Sequence, residues 1–207
     1  MIPQDPVRLT GQKTIVRTFQ RSDCDKMAAW KPHDDPLYAP YTVPNRTVAE
    51  WNEWFEQRVA APDVFAYAID SPNGDLVGWM VLSSLYPQGN SAQLGIDLNP
   101  AYLYQGIGCD AIRTLLSVLF NEWGFQKMRL EVCASNLPAI RCYEKCGFQI
   151  TGRKWGSEEY LSKELVFQDH RFDNVRRYYR LRDNTLETLY YDMTATSQSV
   201  QEMRREI

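Results

Sequence analysis

The sequence predicts a single mixed α/β or α+β domain in which helices flank one β-sheet. Apolar runs of strand length alternate along the chain with segments whose apolar residues recur at helical spacing. Two of these runs, residues 64–69 and 76–85, are joined by an Asn-Gly turn that is typical of an antiparallel hairpin. No internal repeat and no linker divides the chain. These elements are therefore expected to share one core.

Composition limits the classes of function. The chain has 207 residues, of which 44% are hydrophobic and 24% charged, and its net charge is −3 at pH 7. This size allows a sizeable core, and the slightly acidic balance argues against a nucleic-acid partner. No apolar run approaches the ~18 residues of a membrane span, and residues 1–11 lack the layout of a signal peptide. We therefore expect a cytoplasmic protein without a membrane partner.

The first part of the chain predicts one strand and two helices. Residues 1–12 are polar and are expected to be a loose lead-in, whereas residues 14–19 indicate the first strand. Ser22-Asp23 is a plausible helix start, and Thr47 is expected to cap a second helix. The four prolines in residues 31–45 exclude a continuous helix between them.

The central stretch carries the first indication of a ligand. Residues 94–98 form an apolar run typical of a strand, which Asn99-Pro100 ends. Gly106-Ile107-Gly108 follows, and from Cys109 the apolar residues have helical spacing. A strand thus leads through a glycine turn into a helix N-terminus, where free N–H groups and the helix dipole favour an anion. We expect a phosphate-bearing ligand at residues 103–109; glycines that only form a tight turn are the alternative.

A second strand–helix unit follows, with residues that are typical of the start and the end of a helix. Residues 128–132 indicate the strand, and Asn136 suits a helix N-cap with Pro138 in the first turn. Gly147 is expected to end this helix.

The C-terminal third is harder to assign. We expect a strand beginning at residues 149–153, a loop over residues 154–164 and a strand at residues 175–181. Residues 188–193 indicate one more strand. Which of the two later runs closes the sheet is left open.

The glycine turn and the second unit together resemble the GNAT superfamily of acyl-CoA-dependent N-acyltransferases. Residues 103–108, LYQGIG, match the family's pyrophosphate loop, [RQ]-x-x-G-x-[GA], at both glycines but have Leu103 where Arg or Gln is usual. Asn136, followed by a helix ending in residues 143–148, YEKCGF, matches a later family motif closely. The resemblance covers about residues 7–180, and it implies a hairpin at residues 166–173.

A finer resemblance is to the RimJ/RimL-like branch, which contains the ribosomal-protein N-terminal acetyltransferases. An R-x-F-x-x-x-D string precedes the first helix in that branch, and here it is Arg17, Phe19 and Asp23. By the same resemblance, residues 31–45 would lie near the acceptor groove, although a plain connector is equally compatible with them.

The resemblance implies a fold and a cosubstrate. The sheet is expected to be twisted and mostly antiparallel, and acetyl-CoA is expected to bind with its pyrophosphate on the backbone of the glycine loop and its pantetheine along a splayed strand end. The residues expected to contact acetyl-CoA are Ile96, Leu98, Leu103, Tyr104, Gln105, Gly106, Ile107, Gly108, Cys109 and Asn136. Asn136 can equally be only a helix cap.

Acetyl transfer to an amine requires a group that takes up the amine proton and one that protonates the leaving thiolate. The resemblance makes Tyr143 the acid, with a merely packed aromatic side chain as the alternative. Asp97 and Glu131 are the carboxylates best placed by sequence to act as a base. Either could instead face solvent or form a structural ion pair, and a water chain could replace a single base.

We therefore predict an N-acetyltransferase that moves an acetyl group from acetyl-CoA directly to a primary amine, with residues 1–194 as one domain and 195–207 as a polar tail. The acceptor, a protein N-terminus or a small molecule such as an amino acid, polyamine or antibiotic, is left open, and a homodimer is allowed for. The main alternative is a catalytically silent CoA-binding sensor or scaffold; the departure at Leu103 gives it some weight, whereas the presence of Asn136 and Tyr143 argues against it. A nucleotide-binding module of another kind would require the YEKCGF match to be chance.

The remaining candidate ligands are cysteines and histidines. The five cysteines indicate reduced thiols rather than a disulfide framework. Cys142 and Cys146 share a helix face, but with no second pair or nearby histidine they are interpreted as small buried side chains, and no metal is predicted. His33 and His170 are expected on surface loops.

Overall fold

The computed structural model describes residues 6–86 and 90–205, which form one mixed sheet flanked by helices. The strands are β1 (Arg8–Thr10), β2 (Ile15–Thr18), β3 (Phe65–Asp70), β4 (Leu76–Tyr86), β5 (Ser91–Leu98), β6 (Lys127–Cys133), β7 (Gln149–Ser157), β8 (Tyr179–Arg182) and β9 (Thr185–Thr196). The α-helices are α1 (Arg21–Met27), α2 (Val48–Arg58), α3 (Ile107–Asn121), α4 (Leu137–Lys145), α5 (Lys163–Gln168) and α6 (Ser197–Arg205).

The sheet has the order β1-β2-β3-β4-β5-β6-β9-β7, and β8 pairs with the start of β9. Neighbouring strands are antiparallel except for β5 and β6, which are parallel. The parallel pairing holds at one end only, between residues 91–93 and residues 127–129. The two strands diverge beyond it, so residues 94–98 and 130–133 are not paired with each other. The predicted mixed, mostly antiparallel sheet is confirmed.

The main core lies between this sheet and the central helix. Ile112, Leu115, Leu116 and Leu119 are fully buried on one face of α3, as the helical spacing of these apolar residues predicts. They belong to one cluster with apolar side chains of β4, β5 and β6. Burial of each such side chain contributes about 1.5–3 kcal/mol to folding, so α3 is held rigidly against the strands that diverge.

The R-x-F-x-x-x-D string has a structural role. Phe19 is buried in a second cluster with Trp51 of α2. The Arg17 guanidinium donates to both oxygens of the fully buried Asp23 at 2.7 and 2.8 Å, and its Nε donates to Asp70 Oδ2 at 2.7 Å. Because removal of one partner would leave a buried charge uncompensated, a loss of about 3–5 kcal/mol is expected. The string therefore fixes α1 to β2 and β3.

Several predicted elements are confirmed. Residues 65–70 and 76–86 form the hairpin, with Gly74 at a φ of +88° in its turn. Thr47 caps α2, since its Oγ1 accepts from the backbone N–H of Glu50 at 3.3 Å. Asn136 caps α4, and Gly147 follows that helix with a φ of +89°.

Other predictions are wrong. Arg8–Thr10, expected in the loose lead-in, pair with β2, and residues 154–157, expected in a loop, extend β7. The hairpin expected at residues 166–173 is a helix: Ser162 caps α5 by accepting from the Leu165 N–H at 3.1 Å, and a 3-10 helix follows at His170–Phe172.

The last strand, β9, lies inside the sheet, and the helix that follows it packs against the core. β9, of which only residues 188–193 were expected as a strand, lies between β6 and β7. The boundary placed at residue 194 falls inside this strand, and Val200 of α6 packs into the main core. No helix of the described residues is long and apolar enough to cross a membrane.

Candidate functional site

A cleft of about 620 Å³ opens where β5 and β6 diverge. Residues 94–98 form one wall, residues 131–133 form another, and the start of α3 and one side of α4 complete it. Residues 94–98 have no sheet partner on the β6 side, so their backbone groups there can hydrogen-bond a ligand. This is the splayed strand end at which Ile96 and Leu98 were predicted to contact the pantetheine.

The glycine loop lies at one end of the cleft. Gly106, the N-cap of α3, has a φ of +79°, in the left-handed region that glycine adopts at little cost. A Cβ on Gly108 would lie 3.1 Å from Leu98 Cδ1, so this glycine allows the helix to approach β5 closely. The first N–H groups of α3 have no acceptor within the helix and are available to an anion.

Most of the predicted cofactor residues come together here. The cleft is lined by Ile96, Leu98, Leu103, Tyr104, Gly106, Ile107, Gly108, Cys109 and Asn136. Gln105 is the exception among them, because its side chain is exposed and its Nε2 donates to the carbonyl oxygen of Ala101 at 3.2 Å.

Lys13 is a residue of this site that sequence reasoning missed. The Asp110 carboxylate turns away from the cleft and accepts from the backbone N–H groups of Gln12 and Lys13 at 3.0 and 2.9 Å and from Thr14 Oγ1 at 2.7 Å. This holds the turn between β1 and β2 against α3. As a result, Lys13 Nζ donates to the Gln105 carbonyl at 2.9 Å. An exposed ammonium group therefore lies beside the glycine loop, although 92 residues separate the two in sequence.

Asp97 is a cleft carboxylate whose pKa is shifted by its surroundings. It lies on β5, and burial raises its pKa from 3.8 to about 6. The indole of Trp79, the residue directly opposite on β4, lowers this pKa in part. A carboxyl group of this kind titrates near neutral pH and can take up a proton there.

Tyr143 lies on the α4 side of the same cleft. Burial, together with the neighbouring Cys142 and Asp97, raises the pKa of its hydroxyl. The hydroxyl is therefore protonated at neutral pH and can donate. Its ring also packs against Phe148, with the ring centroids 6.0 Å apart.

Glu131 lines the cleft but is exposed and forms an ion pair with Lys154 of β7. The ion pair that was weighed as the alternative for this residue is therefore present. Of the two predicted carboxylates, Asp97 has the surroundings expected of a base.

Asn136 is both a helix cap and a residue of the cleft. Its Oδ1 accepts from the Ala139 N–H at 3.2 Å, which makes it the cap of α4, and its side chain also lines the cleft. Next to it, burial raises the pKa of the Tyr41 hydroxyl, which is close to Cys133 and Asn136. No local sequence signal marked Tyr41.

The proline-rich segment borders the cleft rather than only connecting helices. Pro36–Tyr41 form a 3-10 helix, and His33, Tyr38, Pro40 and Tyr41 line the cleft. The prediction that His33 lies on a surface loop away from the site is wrong, and burial lowers the pKa of its imidazole. His170 is exposed, as expected.

A second cavity of about 180 Å³ reaches Asp97 from the side of this segment. Four of its lining residues are aromatic, namely Tyr41, Trp51, Trp54 and Trp79, and the Arg46 guanidinium lies over the rings of Trp51 and Trp54. Asp97 therefore lies where the two cavities meet.

Three cysteines meet beside the glycine loop. The Sγ atoms of Cys109, Cys142 and Cys146 all lie within 4.8 Å of one another. Hydrogen bonds with Cys142 and Cys146 lower the pKa of the Cys109 thiol. The prediction for Cys142 and Cys146 was made without Cys109, which only the packing of α3 on α4 brings to them.

The comparisons with known proteins identify the family of the chain. A family model described as an acetyltransferase (GNAT) domain matches residues 13–149. The chain belongs to the GNAT acetyltransferase family. The matched range of this GNAT protein includes Lys13, the glycine loop and the YEKCGF motif.

Curated relatives of the GNAT protein act on amines. Aminoglycoside N(6')-acetyltransferase type 1 of Klebsiella pneumoniae is 31% identical over 117 residues, which is 51% of this chain and 58% of the relative. Spermine/spermidine N(1)-acetyltransferase of Bacillus subtilis is 27% identical over 100 residues, or 44% of this chain and 65% of the relative. The chain therefore spans less than two thirds of either relative.

Solved structures extend the likeness over most of the GNAT chain. Spermidine N-acetyltransferase from Vibrio cholerae in complex with CoA and spermine has a TM-score of 0.65 at 16% identity, covering 91% of this chain and 98% of that one. At this identity the likeness shows the fold alone.

Proposed function

We propose that this GNAT protein is an N-acetyltransferase that moves the acetyl group of acetyl-CoA directly to a primary amine. The observation that carries the proposal is the single cleft that holds the glycine loop, Asp97 and Tyr143 together. A carboxyl group with a pKa of about 6 can accept a proton near neutral pH, and a hydroxyl with a raised pKa retains one to donate.

The loop fits a diphosphate in its backbone and in its charge. The N–H groups of residues 107–109 would bind the pyrophosphate, and the backbone of Ile96 and Leu98 would bind the pantetheine. Lys13 supplies a positive charge beside the loop, where Leu103 has none. This charge supports CoA binding even though Leu103 departs from the family pattern. The departure at Leu103 is therefore a weaker argument for a catalytically silent sensor or scaffold.

Acetyl-CoA supplies the thioester whose carbonyl carbon reacts with the amine. Asp97 accepts the proton that the amine nitrogen loses as the N–C bond forms, and backbone N–H groups of β5 stabilise the negative charge that develops on the carbonyl oxygen. As the C–S bond breaks, Tyr143 donates a proton to the leaving sulfur and later regains one through solvent from Asp97. The products are an N-acetyl amide and CoA with a free thiol. Glu131 is the second candidate base, although its pairing with Lys154 supports a structural role.

For the acceptor we propose a small-molecule amine, because the named relatives acetylate aminoglycosides and polyamines. The second cavity reaches Asp97, but the Arg46 guanidinium already lies over the rings of Trp51 and Trp54, 4.8 and 5.7 Å from their centroids, so these ring faces are not free for a second cation. A protein N-terminus, as in the RimJ/RimL-like branch, is the alternative acceptor, and membership of that branch stays a prediction. We also propose a cytoplasmic location and a homodimer. Residues 1–194 were expected as one domain and 195–207 as a polar tail; because β9 continues to Thr196 and Val200 lies in the main core, we propose one catalytic domain that extends beyond residue 194.

The proposal is tested by free-thiol release from acetyl-CoA against a panel of polyamines, aminoglycosides, amino acids and N-terminal peptides. Release that depends on one class of amine, with the N-acetylated product seen by mass spectrometry, is expected. Tight CoA binding without release on any acceptor would favour the sensor, and no CoA binding would contradict the assignment of the glycine loop.

A further inference from the structure

The thiol groups of the three cysteines beside the glycine loop have no role in the proposed reaction. Cys109 is in the first turn of α3, whereas Cys142 and Cys146 are one turn apart on α4 and at its C-cap. The two helices approach closely here: Cys109 Sγ donates to the Cys142 carbonyl at 3.7 Å, and Cys146 Sγ donates to the Cys109 carbonyl at 3.6 Å. None of the three cysteines forms a disulfide bond, so all three thiols are free.

We propose that Cys109, Cys142 and Cys146 form a three-thiolate binding site for a soft metal ion of the zinc and cadmium class. Metal–sulfur bonds of about 2.3 Å place the sulfurs of one site about 3.8–4.0 Å apart. The three Sγ atoms are already within 4.8 Å of one another. Rotamer adjustments of a fraction of an ångström per side chain therefore bring them to binding distance without movement of either helix.

The chemistry of the donor set selects the ion. Thiolates bind soft ions such as Zn²⁺, Cd²⁺ and Cu⁺, whereas Ca²⁺ and Mg²⁺ require oxygen ligands. Within residues 6–86 and 90–205, no His, Asp or Glu ligand atom joins the three sulfurs. The fourth position of a tetrahedral ion is thus left to a small exogenous ligand.

Hydrogen bonds with Cys109 and burial raise the pKa of the Cys142 and Cys146 thiols, so a bound ion has to displace their protons, but positive charges nearby favour the charge of the loaded site. Three thiolates around a divalent ion carry a net charge of −1, and Arg113 and Lys145 act on Cys109 as neighbouring positive charges. The α3 N-terminus adds the positive end of the helix dipole. Entry is open as well, because Cys109 and Cys142 line the cleft while only Cys146 is buried.

The site is tested by titration of the reduced full-length protein with Cd²⁺ under anaerobic conditions, followed by the sulfur-to-cadmium charge-transfer absorption in the ultraviolet. One equivalent should bind with the intensity of three thiolates, and ¹¹³Cd NMR should give a shift in the range of sulfur-rich coordination. Cys109→Ser, which alters a half-buried residue, should lower the affinity at least tenfold and the band intensity by about one third.

Matched controls come from the cysteines outside the cluster. Cys24→Ser and Cys133→Ser should leave the stoichiometry and the band unchanged. Cys146→Ser tests the buried ligand, and circular dichroism of each variant verifies the fold. The proposal is overturned if Cys109→Ser keeps the full band, if Cys24→Ser reduces it equally, or if Cd²⁺ binds no more tightly than it does to a free monothiol.

Discussion

Replacement of Asp97 by Asn should make the protein more stable and less active, and the size of the stability change follows from the pKa of this carboxyl group. Burial raises the pKa of Asp97 from 3.8 to about 6. Since one pKa unit corresponds to about 1.36 kcal/mol, keeping this carboxylate ionised in the fold costs about 3 kcal/mol. An amide of similar shape removes that cost.

The stability gain of Asp97→Asn should depend on pH. Between pH 3.8 and about 6 the folded state binds the Asp97 proton more tightly than the unfolded chain does, so stability falls as the pH rises through this window. Asp97→Asn should therefore gain up to about 3 kcal/mol above pH 6 and much less near pH 4. Urea unfolding of the variant and the wild type at several pH values measures this difference.

Activity should change in the opposite direction. A base must be deprotonated, so wild-type kcat/KM should rise with pH through about 6 and Asp97→Asn should lose this limb, with a fall of roughly 10²-fold or more. Asp25→Asn, at an exposed ion pair with Arg21, is the matched control and should change neither property in this way. A variant no more stable than wild type at pH 7 would refute the burial argument, and an intact limb near pH 6 would refute the base.

Three further substitutions test the rest of the cleft. Tyr143→Phe should lower kcat by roughly 10²-fold with little change in acetyl-CoA affinity; an unchanged kcat would remove the acid role. Gly106→Val should weaken CoA binding at least tenfold by calorimetry, because a β-branched residue is strained at the φ of +79°; unaltered affinity would contradict the loop assignment. Lys13→Met should weaken CoA binding by about fivefold at low salt and less at high salt, whereas exposed Lys127→Met should not; equal effects would exclude a specific role for Lys13.

The sequence predicts best those features that local chemistry determines. The hairpin at Gly74, the caps at Thr47 and Asn136 and the glycine loop depend on residues within a few positions of one another, and each is found where expected. The wrong hairpin at residues 166–173 is also instructive. It was expected only from the family resemblance, whereas here the Ser162 hydroxyl accepts from a free N–H group of α5 and so begins a helix instead.

Features that depend on distant parts of the chain could not be predicted. Lys13 reaches the glycine loop only because Asp110 holds the β1–β2 turn, and Cys109 meets Cys142 only because α3 packs on α4. Similarly, the family resemblance placed residues 31–45 near the acceptor groove as one of two alternatives, but it did not single out His33 or Tyr41, which line the cleft. The charges and thiols of the site therefore require the three-dimensional arrangement.

The short parallel pairing between β5 and β6 divides the sheet into two mechanical units. Backbone hydrogen bonds join strands β1–β5 to strands β6–β9 over only three residue pairs, whereas β6 and β9 share seven. A pantetheine arm bound where the two strands diverge would form hydrogen bonds with the unpaired backbone edge of β5. Amide hydrogen exchange at residues 94–98 should then slow more on CoA binding than exchange at β3, because the substrate supplies backbone bonds that the chain itself leaves unmade.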